Sequence, residues 1–147
     1  MVNRTEFEAI RDLKDKVIRA DIRFMRRNNL APALIAEGIS IENTSGVELR
    51  LNITCNPEVG SKTFNVHVPG VGPICRLDVD GPAHHPAGRS HKHSVQSDRC
   101  AERNLPDGVI DLPDLSGKTL AELFAVFCQM AEISHEGTFE VPAEEVA

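Results

Sequence analysis

Side chains that titrate or bind metals are concentrated in one short part of this sequence, residues 76–93. Four of the six histidines of the chain, two aspartates and two arginines fall within it. They are Arg76, Asp78, Asp80, His84, His85, Arg89, His91 and His93. Imidazole exchanges a proton near neutral pH and is a common transition-metal ligand. The cluster is therefore suited to acid–base catalysis or to metal binding.

The first interpretation of this cluster is an RNA-cleaving site. Cleavage through a 2′-hydroxyl needs a base, an acid and a cation that stabilises the charged phosphorane. The candidate catalytic residues are Arg76, Asp78, His84, His91 and His93. Two histidines would transfer the protons, Arg76 would hold the phosphate with Arg89 and Lys92, and Asp78 would orient an imidazole or bind a metal. The alternative for Arg76 and Asp78 is an ion pair within one strand.

The second interpretation is a divalent-metal module. The candidate metal ligands are His84, His91, His93 and Asp78, with His85 as an alternative fourth ligand and Cys100 as an alternative sulfur donor. Three-ligand zinc sites use such donors, so the cofactor would be a divalent metal such as zinc, whose identity the sequence does not give. An exposed histidine loop that binds zinc or nickel adventitiously would show the same pattern.

The third interpretation is a non-enzymatic protein-interaction domain in which the histidines are incidental. Phe124 and Phe127 would then be the anchors, although residues at helical spacing belong to the core far more often than to an interface. Two histidines lie outside the cluster. His67 is predicted to be structural, and His135 is predicted to be exposed to solvent.

Strand alternation places the first part of the cluster on one side of a sheet. A strand over residues 74–79 would turn Arg76, Asp78 and Asp80 to one face, because alternate side chains of a strand project to opposite faces. The other face would hold Cys75, Leu77 and Val79. A short strand over residues 91–95 would project His91 and His93 together, with Lys92 opposite. If these two strands pair, both histidines lie near Asp78.

Elements before this strand are predicted from periodicity. Thr5 and Glu8 form a capping box, and apolar residues at helical spacing predict a helix over about residues 5–18. A hairpin follows, with its strands near residues 22–26 and 33–41 and a turn at Asn28 and Asn29. Strict alternation then predicts strands over 47–54 and 64–68. These segments would form consecutive antiparallel strands.

The C-terminal part completes an α+β prediction. Residues 109–115 read as irregular or edge structure, and a capping pattern at Thr119 begins a helix with a wide apolar face, formed by Leu120, Leu123, Phe124, Phe127 and Ala131. We therefore expect an antiparallel β-meander packed by an N-terminal and a C-terminal helix. A single α+β domain would span residues 1–135, and residues 136–147 would form an acidic flexible tail.

Composition limits the classes of function. The 147 residues carry a net charge of −6 and contain neither Trp nor Tyr, which disfavours general nucleic-acid binding but leaves room for a short RNA at one local site. Signatures of nucleotide-binding loops, serine hydrolases and zinc proteases are absent from the sequence. No apolar run is long enough to cross a membrane, and no signal segment is evident, so we expect a cytoplasmic protein with reduced cysteines.

The order of these motifs resembles a known family. Arg76-Leu77-Asp78, then Gly81-Pro82-Ala83-His84, a loop, a His-x-His pair and a terminal helix are similar to small uncharacterised prokaryotic proteins related to TumE-type toxins of toxin–antitoxin systems. The resemblance covers roughly residues 74–133. It implies a toxin-like protein with an antitoxin protein as its partner. The sequence does not indicate the oligomeric state.

Overall fold

Two helices and nine strands are described by the computed structural model, which covers residues 4–26, 33–80, 91–93, 109–111 and 115–143, the third and fourth of these ranges by their backbone. In chain order the elements are α1 Arg4–Arg11, β1 Lys16–Ile18, β2 Met25–Arg26, β3 Leu34–Ile41, β4 Leu49–Asn56, β5 Ser61–Val68, β6 Gly72–Val79, β7 His91–His93, β8 Val109–Asp111, α2 Leu120–Ala131 and β9 Ile133–His135.

The main sheet follows the order of the chain, from β2 at one edge to β8 at the other. All of its neighbouring strands are antiparallel, so the predicted α+β fold with a β-meander is confirmed. β2 pairs with β3 in antiparallel fashion, as the predicted hairpin requires, and its predicted turn at Asn28 and Asn29 lies outside the described residues. A second, two-stranded sheet pairs β1 with β9 in parallel.

Alternation in β4, β5 and β6 gives the main sheet two different faces. One face, called the inner face here, is apolar and consists mainly of Leu49, Leu51, Ile53, Cys55, Phe64, Val66, Leu77 and Val79, all buried. Helix α2 packs on it, and the ring of Phe127 stacks on the ring of Phe64 with centroids 5.3 Å apart. Burial of these side chains is the main source of stability.

Helix α2 begins where its capping pattern predicts. The Thr119 side chain accepts a hydrogen bond from the backbone N–H of Glu122, and the Glu122 side chain accepts one from the backbone N–H of Thr119. The five residues of the predicted apolar face are all buried. The predicted C-terminal helix is thus confirmed in its start, its cap and its buried face.

The N-terminal helix is shorter than predicted. α1 ends at Arg11, and residues 16–18 form β1 instead of continuing the helix to residue 18. Val17 and Ile18 are β-branched, which favours a strand, and Val17 exchanges backbone hydrogen bonds with Glu42. The inner face is covered by α2 and by the β1–β9 pair, whose Ile18 and Ile133 belong to the same buried cluster as the sheet.

Residues 136–140 belong to the fold, contrary to the prediction of a flexible tail from residue 136. The N–H groups of Glu136 and Glu140 donate to the carbonyls of Ile18 and Ile22. The ring of Phe139 stacks on that of Phe124, with centroids 4.5 Å apart. At Gly137 an added Cβ would lie 2.4 Å from the Ala20 carbonyl oxygen, so only glycine permits this close approach.

One cysteine departs from the expectation of reduced thiols. Cys75, on β6, is disulfide-bonded, whereas Cys55 and Cys128 form no disulfide. The prediction was wrong for Cys75, because spacing in the sequence does not reveal which sulfurs meet in space. The fourth cysteine of the chain, Cys100, lies outside the described residues.

Among the described residues, neither α1 nor α2 is long and apolar enough to cross a membrane.

Candidate functional site

The second face of the main sheet carries the candidate site and is called the polar face here. Its described residues on β4, β5 and β6 are Arg50, Asn52, Thr54, Thr63, Asn65, His67, Arg76 and Asp78. Most of them are half-buried, and Asp78 is buried. Apart from Pro73 opposite His67 and Ile35 opposite Thr54, this face presents hydrogen-bonding side chains. Such side chains suit a polar ligand, because they can exchange water for ligand atoms.

Arg76 and Asp78 form the ion pair that alternation in β6 allows. The guanidinium Nε donates to Asp78 Oδ2 at 3.0 Å, and Nη2 donates to Oδ1 at 3.1 Å. The Thr63 hydroxyl on β5 donates to the same Oδ1 at 2.9 Å. The in-strand ion pair considered as the alternative for these two residues is therefore present. It orients the guanidinium on the polar face.

Burial differs within this pair, and the difference separates the roles of its members. The Asp78 side chain is 8% exposed and that of Arg76 is 23% exposed. Asp78 is therefore the more buried member of the pair, and its carboxylate positions the guanidinium. Nη1 of Arg76 makes no hydrogen bond to any described residue, so it remains available to an oxygen of a ligand.

β7 brings two of the predicted histidines to the polar face. In the antiparallel pairing of β6 with β7, His91 lies opposite Asp78 and His93 lies opposite Arg76. Directly opposite residues of paired strands share a face. The predicted pairing of these strands is confirmed. Lys92 lies opposite the buried Leu77 and therefore belongs to the other face, where it cannot help Arg76 to hold a phosphate.

A carboxylate that the sequence prediction missed lies on β8. Asp111 is opposite His91, so Asp78, His91 and Asp111 occupy one row across three strands. Residues 109–115 were predicted to be irregular or edge structure; β8 is the edge strand of the main sheet. The sequence did not predict β8 as a strand, because three residues are too few to establish an alternation of polar and apolar side chains.

Asp80 does not join the polar face, and the prediction that it would do so is wrong. β6 ends at Val79, and Asp80 adopts a left-handed backbone with φ of 55°, so the alternation stops there. Its carboxylate accepts hydrogen bonds from Ser116 Oγ at 2.5 Å and from the Gly117 N–H at 3.1 Å. Asp80 thus connects the end of β6 to the turn before α2.

Several predicted site residues lie outside the described part of the chain. They are His84, His85, Arg89 and Cys100. Within the described part, no group of three or more His, Cys, Asp or Glu side chains is close enough to hold a metal ion.

Asn65 and His67 on β5 have an unusual environment that the sequence did not suggest. Asn65 Oδ1 and His67 Nδ1 are buried and have no hydrogen-bond partner in the part of the chain that the structure describes. The alternation of β5 predicted the polar face as a whole, but His67 was interpreted as merely structural. Burial without a partner depends on the tertiary fold, so periodicity alone could not have identified these two atoms.

Other candidate groups are structural. Phe124 and Phe127 are 6% and 0% exposed, so they belong to the core and cannot anchor a partner as the interaction-domain interpretation required. His135 is half-buried, and its Nε2 lies 3.1 Å from the Ala20 carbonyl oxygen. Burial raises the pKa of the Cys128 thiol to about 12, which keeps it protonated and unreactive.

An apolar cleft lies apart from the polar face. It measures about 260 Å³ and is lined by residues of α1, of the segment after α1 and of the β3–β4 connection: Glu6, Ala9, Ile10, Leu13, Ser45 and Val47. None of its lining residues belongs to the polar face. It contributes no nucleophile, acid–base pair or metal donor set.

Comparison with known proteins adds no relative to this picture. No family model, no curated protein and no solved structure matches the chain.

Proposed function

We propose that the polar face is an acid–base site that cleaves RNA through the 2′-hydroxyl. The observation that supports this proposal best is the register of β6 and β7, in which His91 lies opposite Asp78 and His93 lies opposite Arg76. Two imidazoles two residues apart and a guanidinium are the groups that this reaction requires.

The proton transfers would be divided between the two histidines. One neutral imidazole takes the proton of the 2′-hydroxyl as oxygen attacks phosphorus, and one imidazolium protonates the 5′-oxygen that leaves. Because imidazole titrates near neutral pH, one member of the pair can be charged while the other is neutral. This division predicts a bell-shaped dependence of kcat/KM on pH.

Arg76 would stabilise the phosphorane. Nε and Nη2 are held by the Asp78 carboxylate, and Nη1 is the donor left for a phosphate oxygen. A positioned guanidinium needs no reorganisation when charge develops on the phosphoryl oxygens, which is the physical basis of such stabilisation. Asp78 is in this proposal a positioning residue and not a proton-transfer group.

Incubation of the purified protein with a structured RNA, first in EDTA and then with added zinc, tests the activity and its metal requirement. We expect His91→Ala and His93→Ala each to lower kcat/KM by roughly 10²–10⁴-fold. Lys92→Gln is the matched control, because Lys92 lies between the two histidines but on the other face. Uncut RNA, or histidine variants as active as the wild type, would overturn the proposal.

A divalent-metal module is the second candidate function, supported by the pairing of β7 with β8, in which Asp111 lies opposite His91. Since Asp78 already binds Arg76, the donors would be His91, His93 and Asp111, with His84 as a fourth. Elemental analysis of untagged protein decides this candidate. One equivalent of zinc that disappears in His93→Ala would support it, and a metal-free protein that stays metal-free after zinc dialysis would exclude it.

The kinship to TumE-type toxins, and with it an antitoxin partner, is proposed on the motif order of residues 74–133 alone. Arrest of bacterial growth on expression, absent in the His91→Ala variant, would support it.

The cytoplasmic location also stays a prediction, and the disulfide at Cys75 argues against it, because disulfides persist mainly in oxidising compartments.

A further inference from the structure

We propose that Asn65 and His67 form a second binding position beside Arg76, which takes the nucleoside that flanks the scissile phosphate. This inference rests on the proposed function and names where the neutral part of the substrate binds. The position needs a ligand with hydrogen-bond donors and acceptors and no charge, which a ribose or the edge of a base provides.

The starting observation is a pair of buried atoms without partners. Asn65 Oδ1 and His67 Nδ1 are both shielded from solvent and accept or donate no hydrogen bond. Buried polar groups are nearly always hydrogen-bonded, so each exception indicates a missing water or ligand. If the amide of Asn65 were flipped, its nitrogen would occupy the position of Oδ1. A buried polar atom without a hydrogen-bond partner would still be present there.

The neighbouring polar side chains of β4 already make hydrogen bonds, so the unpartnered atoms of this face lie on β5. Asn52 Oδ1 accepts from the Gly38 N–H at 2.8 Å. Arg50 donates to the Gly38 carbonyl and to Glu48 Oε1. These contacts depend on the β-bulge of β3, where Gly38 has a φ of +68°. These contacts lie on β4, on one side of the two unpartnered atoms. The Thr63–Asp78 hydrogen bond lies toward β6, on the other side.

The register connects this position to the proposed catalytic groups. Asn65 lies opposite Arg76, and Arg76 lies opposite His93, so the three occupy one row across β5, β6 and β7. Neighbouring strands are about 4.8 Å apart. A phosphate held at Arg76 and His93 would therefore place its adjoining sugar or base within one strand spacing, over Asn65.

The chemistry of the pair favours a nucleoside over a second phosphate. An amide is neutral and offers both a donor and an acceptor, which matches a hydroxyl or a base edge and gives no preference for an anion. His67 adds a second group on the same face, since it is two residues from Asn65 on one strand. The other cation of β5, Lys62, alternates to the inner face, where its Nζ donates to the Gly60 carbonyl. Arg50 lies opposite His67, but its guanidinium already donates to Glu48 Oε1 and to the Gly38 carbonyl. These pairings leave little counter-charge for an additional phosphate at Asn65 and His67.

Nucleotide binding followed by NMR tests this position directly. The probes are a nucleoside 3′-monophosphate and inorganic phosphate, and the readouts are the Asn65 side-chain amide and the His67 ring signals. We expect the nucleotide to shift both sets of signals and phosphate to leave them unchanged. Equal shifts with both probes, or no shift with the nucleotide, would overturn the inference.

Variants separate a binding role from a structural one. Asn65→Leu removes the unpartnered atom with little change in volume, so we expect it to fold at least as stably as the wild type but to raise KM for RNA about tenfold. Thr54→Val is the control on the same face, and its KM should not change. His67→Phe serves as a second variant with the same expected loss.

The outcomes distinguish this inference from the proposed function. If RNA is cleaved and Asn65→Leu and His67→Phe retain the wild-type KM, the second position is wrong and the cleavage site stands. If RNA is not cleaved but the nucleotide still shifts the signals of Asn65 and His67, the proposed function is wrong and the binding position stands.

Discussion

The two faces of strands β4, β5 and β6 are built from alternate residues of the same segments, yet they differ in almost every physical property. The inner face is apolar and buried under α2, with Phe64 stacked on Phe127. The polar face is half-buried and contains two buried atoms without partners. Period-two alternation thus separates the residues that bury apolar area from the residues that carry hydrogen-bonding groups.

The largest effect should come from the inner face. Phe127→Ala removes a fully buried ring and leaves a cavity against Phe64, so we expect a loss of about 3–5 kcal/mol in the free energy of unfolding. Thr54→Ala, on the polar face of β4, should change it by less than about 0.5 kcal/mol. Urea denaturation measures both, and equal losses would contradict the division between the faces.

Reducing the disulfide at Cys75 should cause the next largest loss of stability. Cys75 is buried on the inner side of β6. Reduction removes a constraint on the unfolded chain, and we expect it to lower the free energy of unfolding by about 2–4 kcal/mol. Urea midpoints with and without dithiothreitol provide the measurement. The Cys75→Ser variant is the control, since reductant should not affect it further. A wild-type midpoint unchanged by reductant would show that this bond does not contribute.

The ion pair of the polar face should have a smaller effect that depends on burial. Arg76→Met leaves the buried carboxylate of Asp78 with less compensation, so we expect a loss of about 1–3 kcal/mol. The double variant Arg76→Met, Asp78→Leu should recover most of it, because no buried charge remains. If the double variant is less stable than Arg76→Met alone, the pair is not the source of the effect.

Acid should have the mildest effect, acting at exposed carboxylates that lie on neither face. A hydrogen bond from the Thr138 N–H holds the pKa of Asp21 below its ordinary value of 3.8. A pKa lowered by folding adds stability above the unfolded value and loses it as pH falls through the folded one. We therefore expect the melting temperature to fall below about pH 4. The decline should be shallower in Asp21→Asn, and identical curves would exclude this contribution.

Much of the fold was predictable because its signals are local. Strict alternation located β4 and β5, and the capping pattern at Thr119 located α2 to the residue. The sequence predicted two alternating segments on either side of one loop, but it did not predict the register of β6 with β7. The N-terminal helix was overextended, because Val17 and Ile18 fit a helical spacing as well as a strand and only their pairing decides between the two.

Less of the candidate site was predictable. The sequence singled out Arg76, Asp78, His91 and His93 as candidates, but it assigned Asp80 to the wrong face and did not propose Asp111, Asn65 or His67 for the candidate site. Asp80 leaves the strand through a left-handed backbone to bind the turn before α2, which is a long-range contact. The unpartnered atoms of β5 depend on what surrounds them and not on their spacing.

The sequence by itself determined which residues alternate, where α2 begins, and that a cluster of histidines follows a strand with Arg76 and Asp78. Only the tertiary structure decided that Asp78 is buried beneath a guanidinium, that Cys75 is disulfide-bonded, and that Asn65 and His67 lack partners. The physical reason is that periodicity is a property of neighbours along the chain, whereas burial, pairing and satisfaction of hydrogen bonds depend on residues far apart in it.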